Sequence, residues 1–206
     1  MVKKVLSINH SDSTGKTGIQ NDLGSFQELD VFGFTVITSI NINQEQVLEV
    51  VDDLTIKRQF ESVFALGQID SIKLANLHSL ETPILIKEFV EEYHVPYLIL
   101  ETPLKDLEQE INQTTIKELH PIVVLTETLD DSKESAKRLF QKEMTALVFP
   151  VKNFNDNFLL YNGDSFYSFN TSENVAAFLT AELAIHQTLS HLLKLEKLEK
   201  LEKLEK

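Results

Sequence analysis

The chain has 206 residues, of which 42% are hydrophobic, and this length and composition predict one globular domain with a large core. Its formal charge of -13 argues against nucleic-acid binding, which needs a clustered positive field, and the absence of cysteine excludes disulfides, thiolate metal ligands and a cysteine nucleophile. No signal peptide precedes the domain and no run approaches about 18 apolar residues, so we expect a cytoplasmic protein without a membrane segment.

Strand-like and helix-like segments alternate along the chain. We predict strands at 2–9, 34–42, 62–66, 96–100, 122–125, 146–149, 158–161 and 166–169. We predict helices at 18–30, 47–60, 71–80, 82–93, 104–119, 131–142 and from 173 onward. This order predicts an α/β fold with a mostly parallel central sheet, helices on both faces and a closing β-hairpin. Ligands of such sheets lie beyond the carboxyl ends of strands, which here points to the loops after Asn9, Asn41, Leu66 and Leu100.

The composition of the loop at 11–18 is more typical of a ligand-binding loop than of a segment that packs in the core. Its residues are small or polar and lead into a helix N-terminus, where backbone N–H groups favour negative charge. His10 to Thr17 also matches the GxxxxGK[ST] phosphate-binding pattern except at the first glycine, which is His10. A P-loop nucleotide site through Gly15-Lys16-Thr17 is therefore one hypothesis, with Glu101 as the best acid for magnesium.

The C-terminal segment Leu195–Lys206 is LEK repeated four times. Its glutamate–lysine pairs at i,i+4 favour a helix, but the leucine spacing of three is not a heptad. We predict a single domain over 1–194, and a helical extension over 195–206 that continues the helix beginning at 173. Either the extension packs on another chain or it is a solvated helix, and we expect the first, in a homodimer.

The stretch from residue 5 to 44 resembles the hydroxymethylpyrimidine and phosphomethylpyrimidine kinases of thiamin synthesis and their pyridoxine-kinase relatives in the ribokinase fold. The matching residues include Ser11-Asp12-Ser13, Gly18-Ile19-Gln20, Asp22-Leu23 and Phe26-Gln27, without a gap. Weaker similarity follows at 158–163 and 175–184. The resemblance implies a three-layer ribokinase-like sandwich, and ATP and magnesium as cofactors if the protein is active.

The resemblance also implies where a small pyrimidine or pyridine would bind. In the family, the aspartate matching Asp22 and the glutamine matching Asn43 bind the ring, and His10 replaces a glycine that faces the substrate. Gly18 and Gln68 complete the ligand-binding set that we predict. His10 is alternatively a general base or a loop histidine with neither role, and Asp22 is alternatively an acid that favours the first helical turn.

The phosphotransfer motifs of the family are altered. The resemblance aligns Asn170, Thr171, Ser172 and Glu173 with the family's GTGC or GTGD loop, so the first three would hold a phosphate and Glu173 would activate the substrate hydroxyl. Ser172 and Glu173 are alternatively a helix cap and a first-turn acid. The family's DPVM, TPNxxEA and KGG segments are replaced by residues 101–104, 126–130 and 149–151. We predict no resident metal site.

Three functions stay open from the sequence. The first is a divergent kinase that phosphorylates a hydroxymethyl pyrimidine or pyridoxine-type substrate. The second is an inactive relative that binds a vitamin precursor or a protein partner. The third is the P-loop nucleotide binder. The phosphomethylpyrimidine-kinase-like function is the leading one.

Overall fold

The computed structural model describes residues 2–42, 48–152, 157–171 and 174–188, and all structural statements concern these. The strands are β1 (Lys4–Asp12), β2 (Phe32–Asn41), β3 (Leu48–Val50), β4 (Ser71–Leu74), β5 (Leu98–Thr102), β6 (Ile122–Leu125), β7 (Ala146–Pro150), β8 (Asn157–Tyr161) and β9 (Phe166–Asn170). The helices are α1 (Gly18–Glu28), α2 (Asp53–Phe64), α3 (Glu81–Tyr93), α4 (Glu110–Leu119), α5 (Ser132–Leu139) and α6 (Val175–His186), with a 3-10 turn at Leu104–Asp106.

The strands form one sheet in the order β3-β2-β1-β4-β5-β6-β7-β8-β9. The six strands from β2 to β7 in that order pair in parallel, while β3 and β8 are antiparallel to their neighbours and β9 pairs antiparallel to β8. The predicted α/β architecture is confirmed. The order in which strands are added to the sheet reverses between β1 and β4, and ligands of such sheets bind in the crevice at the carboxyl edge at this point.

Helices cover both faces of the sheet. On one face, α2 and α3 pack through the rings of Phe60, Phe64 and Phe89, whose centroids lie 5.1 and 5.3 Å apart in the two pairs that include Phe89. On the other face, α6 lies beside α1 and over β4 and β5. Alanines at 177, 181 and 184 are fully buried against α1, so these two helices approach closely.

Several predicted elements are wrong. The segment predicted as a helix at 47–60 contains β3, and α2 begins only at Asp53 because the Asp52 side chain caps it by accepting a hydrogen bond from the Thr55 N–H. The predicted strand at 62–66 belongs to the end of α2 and the turn after it, and the first part of the predicted helix at 71–80 is β4. Consequently the ligand-side loop in this region follows Leu74 and not Leu66.

The last helix is shorter than predicted. It starts at Val175, ends at His186, and is terminated by Gln187 in the left-handed conformation (φ +56°). The predicted continuous helix from 173 to the end is therefore wrong at Gln187, while the LEK extension at 195–206 lies outside the described residues. No helix in the described part of the chain combines the length and the apolar character that a membrane crossing requires.

Candidate ligand site at the carboxyl edge of the sheet

A polar cleft opens where β4, β5 and β6 end. Its volume is about 300 Å³, and its walls include Asn76, His78, Glu101, Asp106 and Asn112. The carboxyl ends of parallel strands meet at one edge, so side chains far apart in the sequence converge there. This volume suits a single small molecule and lies at the lower end of the range for small-molecule pockets.

A buried chain of charges lies behind this cleft. Lys73, in the middle of β4, is only 1% exposed, and its ammonium group contacts the carboxylates of Asp22 on one side and Glu101 on the other. The distance from Lys73 Nζ to Glu101 Oε2 is 2.6 Å, while the Asp22 contact is shorter still. Burial alone would lower the Lys73 pKa, but the two carboxylates outweigh it and raise that pKa.

Asp22 is fully engaged with protein groups. Its side chain is 1% exposed. Oδ2 accepts hydrogen bonds from the Ser7 hydroxyl (2.6 Å) and the Asn9 amide (3.1 Å), while Oδ1 faces Lys73. A ligand would have to displace one of these partners to reach Asp22, so in this structure the aspartate serves as the internal anchor of the cleft wall.

His10 joins the loop at 11–18 to the end of β4. Its Nε2 lies 3.1 Å from Thr17 Oγ1, and its Nδ1 lies 3.0 Å from the amide nitrogen of Asn76. Nδ1 also lies 3.0 Å from Asn9 Oδ1, so it faces one donor and one acceptor. Burial lowers the His10 pKa, which favours the neutral form. Asn76 also donates to Asn9 Oδ1 (2.8 Å) and adopts a left-handed backbone (φ +50°).

A second histidine, His78, lies near His10. Its Nε2 is 3.0 Å from the hydroxyl of Ser39. Burial and the neighbouring His10 both lower the His78 pKa. The cleft wall therefore includes the imidazole of His78, together with the side chains of Glu101 and Asp106.

The loop at 11–18 folds around the carboxylate of Asp12. Oδ1 accepts the Thr14 N–H (2.8 Å), and Oδ2 accepts the Thr17 N–H (3.0 Å) and hydroxyl (2.7 Å). The Thr14 N–H and the Thr17 hydroxyl hold the pKa of Asp12 well below its usual range. These N–H groups would otherwise be free to bind a phosphate, so the loop carries its own anion, and this speaks against the P-loop hypothesis.

Gly18 allows the loop to approach β1. It has a positive φ of +66°, and a Cβ atom there would lie 2.2 Å from the carbonyl oxygen of His10. Only glycine fits this position. Its backbone, rather than a side chain, lies against His10.

The remaining predicted site residues do not all converge. Gln68 is exposed in the loop between α2 and β4, where Asp70 N–H donates to the Lys4 carbonyl at the start of β1. It therefore lies at the amino edge of the sheet and not beside the cleft, whereas the resemblance implies a position in the pocket. Asn43, Ser172 and Glu173 lie outside the described residues.

The predicted phosphate-binding segment lies at the same edge as the cleft, beyond β9. Asn170 is exposed at the end of the hairpin and Thr171 is mostly buried. The helix that follows is capped by Asn174, whose Oδ1 accepts the N–H groups of Ala176 and Ala177 at 3.1 Å each. Two amides that could bind an anion at this N-terminus are thus bound to a side chain.

Sequence reasoning missed Lys73 and Asn76. Asn76 follows directly on β4, and recognition of that strand would have placed it at the ligand edge. The sequence indicates Asn41 only as the end of a strand, and its Oδ1 is a buried acceptor without a hydrogen-bond partner among the described residues.

Comparison with known proteins decides the family. The family model for phosphomethylpyrimidine kinase matches residues 12–126, which is more than half of the chain. The chain belongs to the phosphomethylpyrimidine kinase family. The match includes the loop around Asp12, the buried Asp22 and Lys73, and the cleft residues Asn76 and Glu101.

Individual members of the phosphomethylpyrimidine kinase family agree with this. A Bacillus subtilis hydroxymethylpyrimidine/phosphomethylpyrimidine kinase is 29% identical over 162 residues, covering 67% of this chain and 60% of its own length. The chain spans between half and two thirds of the length of curated relatives that it matches. A Clostridium difficile phosphomethylpyrimidine kinase structure shares the fold at 22% identity, with a TM-score of 0.75 and coverage of 93% of this chain and 95% of that one.

A pyridoxal kinase from Staphylococcus aureus, solved in complex with AMP-PCP, is also similar. It is 25% identical, with a TM-score of 0.73, and the alignment covers 90% of this chain and 82% of that one. The predicted ribokinase-type architecture is confirmed by these structures.

ATP and magnesium, which the family implies, can be compared with the residues present. Within the described ranges, no group of three or more histidine, aspartate or glutamate side chains forms a metal cluster. The two arrays of backbone N–H groups at this edge are bound by Asp12 and Asn174. As they stand, these two arrays do not fit a phosphate group.

Proposed function

We propose that this chain binds a small pyrimidine or pyridine bearing a hydroxymethyl group in the cleft at the carboxyl edge, as a kinase of the phosphomethylpyrimidine type. ATP with magnesium would be the phosphoryl donor. The observation that supports this most is the cleft itself, in which Asn76, His78 and Glu101 converge from two strands within a family of vitamin kinases. A flat ring with nitrogen, hydroxyl and amine substituents matches such a wall of amide, imidazole and carboxylate groups.

Calorimetry of the purified protein tests this function. The protein is titrated with hydroxymethylpyrimidine and with pyridoxal, each with and without Mg-ATP, and the mixtures are then analysed by mass spectrometry for a phosphorylated product. Binding of one heterocycle together with product formation supports the kinase. Binding of neither heterocycle contradicts the proposal.

A second candidate is a relative that keeps the ligand cleft and does not transfer phosphate. The N–H groups filled by Asp12 and Asn174 favour it, because phosphoryl transfer depends on positioned amides, cations and metal. The same titration separates the two: a relative of this kind binds the heterocycle, gives no heat with Mg-ATP and forms no product.

For the assembly, we propose a cytoplasmic homodimer that includes the LEK extension at 195–206. Its regular glutamate–lysine pairs support a helix, and its leucines would need a covering surface. Light scattering of the full chain and of a chain ending at residue 194 tests this. An unchanged mass per particle after deletion contradicts a role for the extension in the dimer.

A further inference from the structure

Helix α6 is apolar on almost all sides: of its 12 residues, only Thr180, Glu182 and His186 are polar. A helix of this kind is typically buried all round. One stripe of α6 is nevertheless open to solvent, since Phe178 and Glu182 are half-buried and Ile185 is 38% exposed. These positions follow each other at intervals of four and three residues, so they lie on one side of the helix. A stripe of this composition indicates that another element covers it.

The stripe borders the hairpin of β8 and β9. It points away from α1, because the alanines of α6 that face α1 lie on the opposite flank. The Phe178 ring stacks on Phe169 with centroids 6.2 Å apart, and Phe169 stacks on Phe158 at 5.6 Å. Phe158 and Tyr167 on the hairpin are also only half-buried. Phe158, Tyr167, Phe178 and Ile185 therefore line an apolar groove, the α6 groove, which the described residues leave partly open.

The chain leaves α6 at one end of this groove. Gln187 adopts a left-handed backbone (φ +56°) and its N–H donates to the Leu183 carbonyl at 2.9 Å, a helix cap that turns the chain away from the helix axis. The Tyr97 hydroxyl donates to the Gln187 carbonyl oxygen and holds this turn. Residues 189–206 follow directly and lie outside the described residues. Because they are tethered next to the groove, their effective concentration there far exceeds that of a separate chain.

The sequence of residues 189–195 is amphipathic on a helical repeat. At about 100° per residue, the apolar side carries Leu189, Leu192, Leu193 and Leu195, and the polar side carries Ser190, His191 and Lys194. Glu196 comes nearly two full turns after Leu189, so it places a charge on the apolar side and ends it. Residues 189–195 span about 10 Å as a helix, which equals the rise from Phe178 to Ile185 along α6.

Charge distinguishes this segment from a second copy of the chain as the occupant of the groove. The whole chain carries a formal charge of -13, but residues 189–206 contain 5 lysines and 4 glutamates. The net negative charge therefore lies on the rest of the chain, and two such domains repel each other at close approach. The nearly neutral segment meets no such repulsion, which favours the chain's own residues 189–195.

We propose that residues 189–195 form a helix that folds back antiparallel to α6 and occupies the α6 groove of the same chain. Its four leucines cover Phe178, Ile185 and the hairpin rings. The chain from Glu196 onward projects from the domain, because leucines spaced by three do not stay on one side of a helix. This inference is independent of the proposed ligand binding, and it leaves the LEK extension available for the proposed dimer contact.

Cross-linking tests this placement, because the chain has no cysteine and two thiols can be introduced at chosen positions. Glu182→Cys on the stripe is combined with Leu193→Cys on the apolar side of the segment, and separately with Lys194→Cys on its polar side. A short bis-maleimide reagent is expected to bridge the first pair within one chain several-fold faster than the second. Mass spectrometry of the denatured protein measures the bridged product.

Three results of this experiment would overturn the proposal. Equal bridging rates for the two pairs would mean that no fixed side of the segment faces α6. A covalent dimer of the first pair would place the segment on a second copy, and the absence of any bridge would place it away from the groove.

Thermal unfolding gives a second test. Leu192→Ser removes a leucine from the apolar side of the segment and is expected to lower the melting temperature by at least about 3 °C. Leu201→Ser is the matched control beyond Glu196, and it is expected to change the melting temperature by less than about 1 °C. Equal shifts for the two variants, or no shift for Leu192→Ser, would contradict the docking. The cysteine pairs keep Leu192 and still decide the question if Leu192→Ser does not fold.

Discussion

Lys73 and Asp22 form an ion pair that is 1% exposed on both sides, between a central strand and the helix beside it. The family resemblance assigns the Asp22 carboxylate to ligand binding. In this structure that carboxylate contacts Lys73, Ser7 and Asn9. Lys73 therefore connects the buried core to Glu101 in the wall of the cleft.

Replacing Lys73 with methionine is expected to destabilise the protein by about 3–5 kcal/mol, since it leaves a buried carboxylate without its cation. Urea unfolding followed by circular dichroism measures this loss. Lys73→Met/Asp22→Asn should regain a large part of it, because the unpaired charge is then removed as well.

An exposed ion pair provides the control for Lys73. Lys87 lies 2.9 Å from Glu118 on the surface, where solvent screens the charges. Lys87→Met should therefore lower the free energy of unfolding far less than Lys73→Met does. Equal losses for Lys73→Met and Lys87→Met would contradict the buried pairing.

Gly18 and Gly24 provide two glycine-to-alanine substitutions with opposite expected effects, because Gly18 has a positive φ and Gly24 lies inside a helix. Gly18→Ala is expected to destabilise by more than about 1–2 kcal/mol, since it combines a positive φ with a clash against the His10 carbonyl. Gly24 lies inside α1 with no atom within 4 Å of an added Cβ, so Gly24→Ala should stabilise by about 0.5–1 kcal/mol. Thermal unfolding of both variants checks the two signs, and a stable Gly18→Ala protein would refute the described loop.

The carboxylate of Asp12 gives the loop at 11–18 a pH dependence. Its pKa is lowered in the folded protein by the Thr14 N–H and the Thr17 hydroxyl, so its ionised form is favoured by folding. This contribution is fully present above the ordinary aspartate pKa of about 4 and is lost as pH falls towards the lower folded value.

Wild type should therefore be more stable than Asp12→Asn near neutral pH, and this difference should shrink below about pH 4. Urea midpoints at a series of pH values measure it. Glu108→Gln, an exposed position with no hydrogen bond to a described residue, serves as the control and should show no such trend. A constant difference between wild type and Asp12→Asn would mean that Asp12 is not the anion of this loop.

A substitution of Lys16 tests the hypothesis that the loop at 11–18 binds phosphate. Because Asp12 takes the Thr14 and Thr17 N–H groups, ATP has no cradle there, and Lys16→Ala should change any ATP affinity by less than about twofold. Calorimetry with Mg-ATP on both proteins tests this. Loss of ATP binding in Lys16→Ala would restore the P-loop hypothesis.

Much of the fold follows from periodicity, because strands such as Ile122–Leu125 are short apolar runs bounded by polar residues. The strand Ser71–Leu74 could not be predicted in this way, because it contains Lys73. A lysine is buried only when it is paired, and its partners lie on α1 and β5, far away in the sequence. The sequence pattern predicts a strand at the end of α2, because consecutive apolar residues such as Val63 and Phe64, both buried here, are typical of a buried strand.

The candidate site likewise contains residues whose positions the sequence predicts and residues whose positions it does not. The position of the loop at 11–18 at a strand end could be predicted because its residues form one contiguous motif, while the ligand roles of His10 and Gly18 stay predictions. The position of Asn76 at the ligand edge could not be predicted, because it follows β4 and the sequence pattern predicts a helix there. The role of Asp22 depends on Lys73, and that pairing arises from tertiary packing across 51 positions of sequence.

The most direct test of the ligand cleft is a calorimetric titration of hydroxymethylpyrimidine into wild type and Asn76→Gly. Glycine tolerates the left-handed backbone at this position, so the variant removes the amide that contacts His10 and Asn9 without adding strain. The cleft described here predicts binding by wild type and an affinity at least about tenfold weaker in Asn76→Gly. Equal affinities in the two proteins, or no binding by wild type, would contradict it.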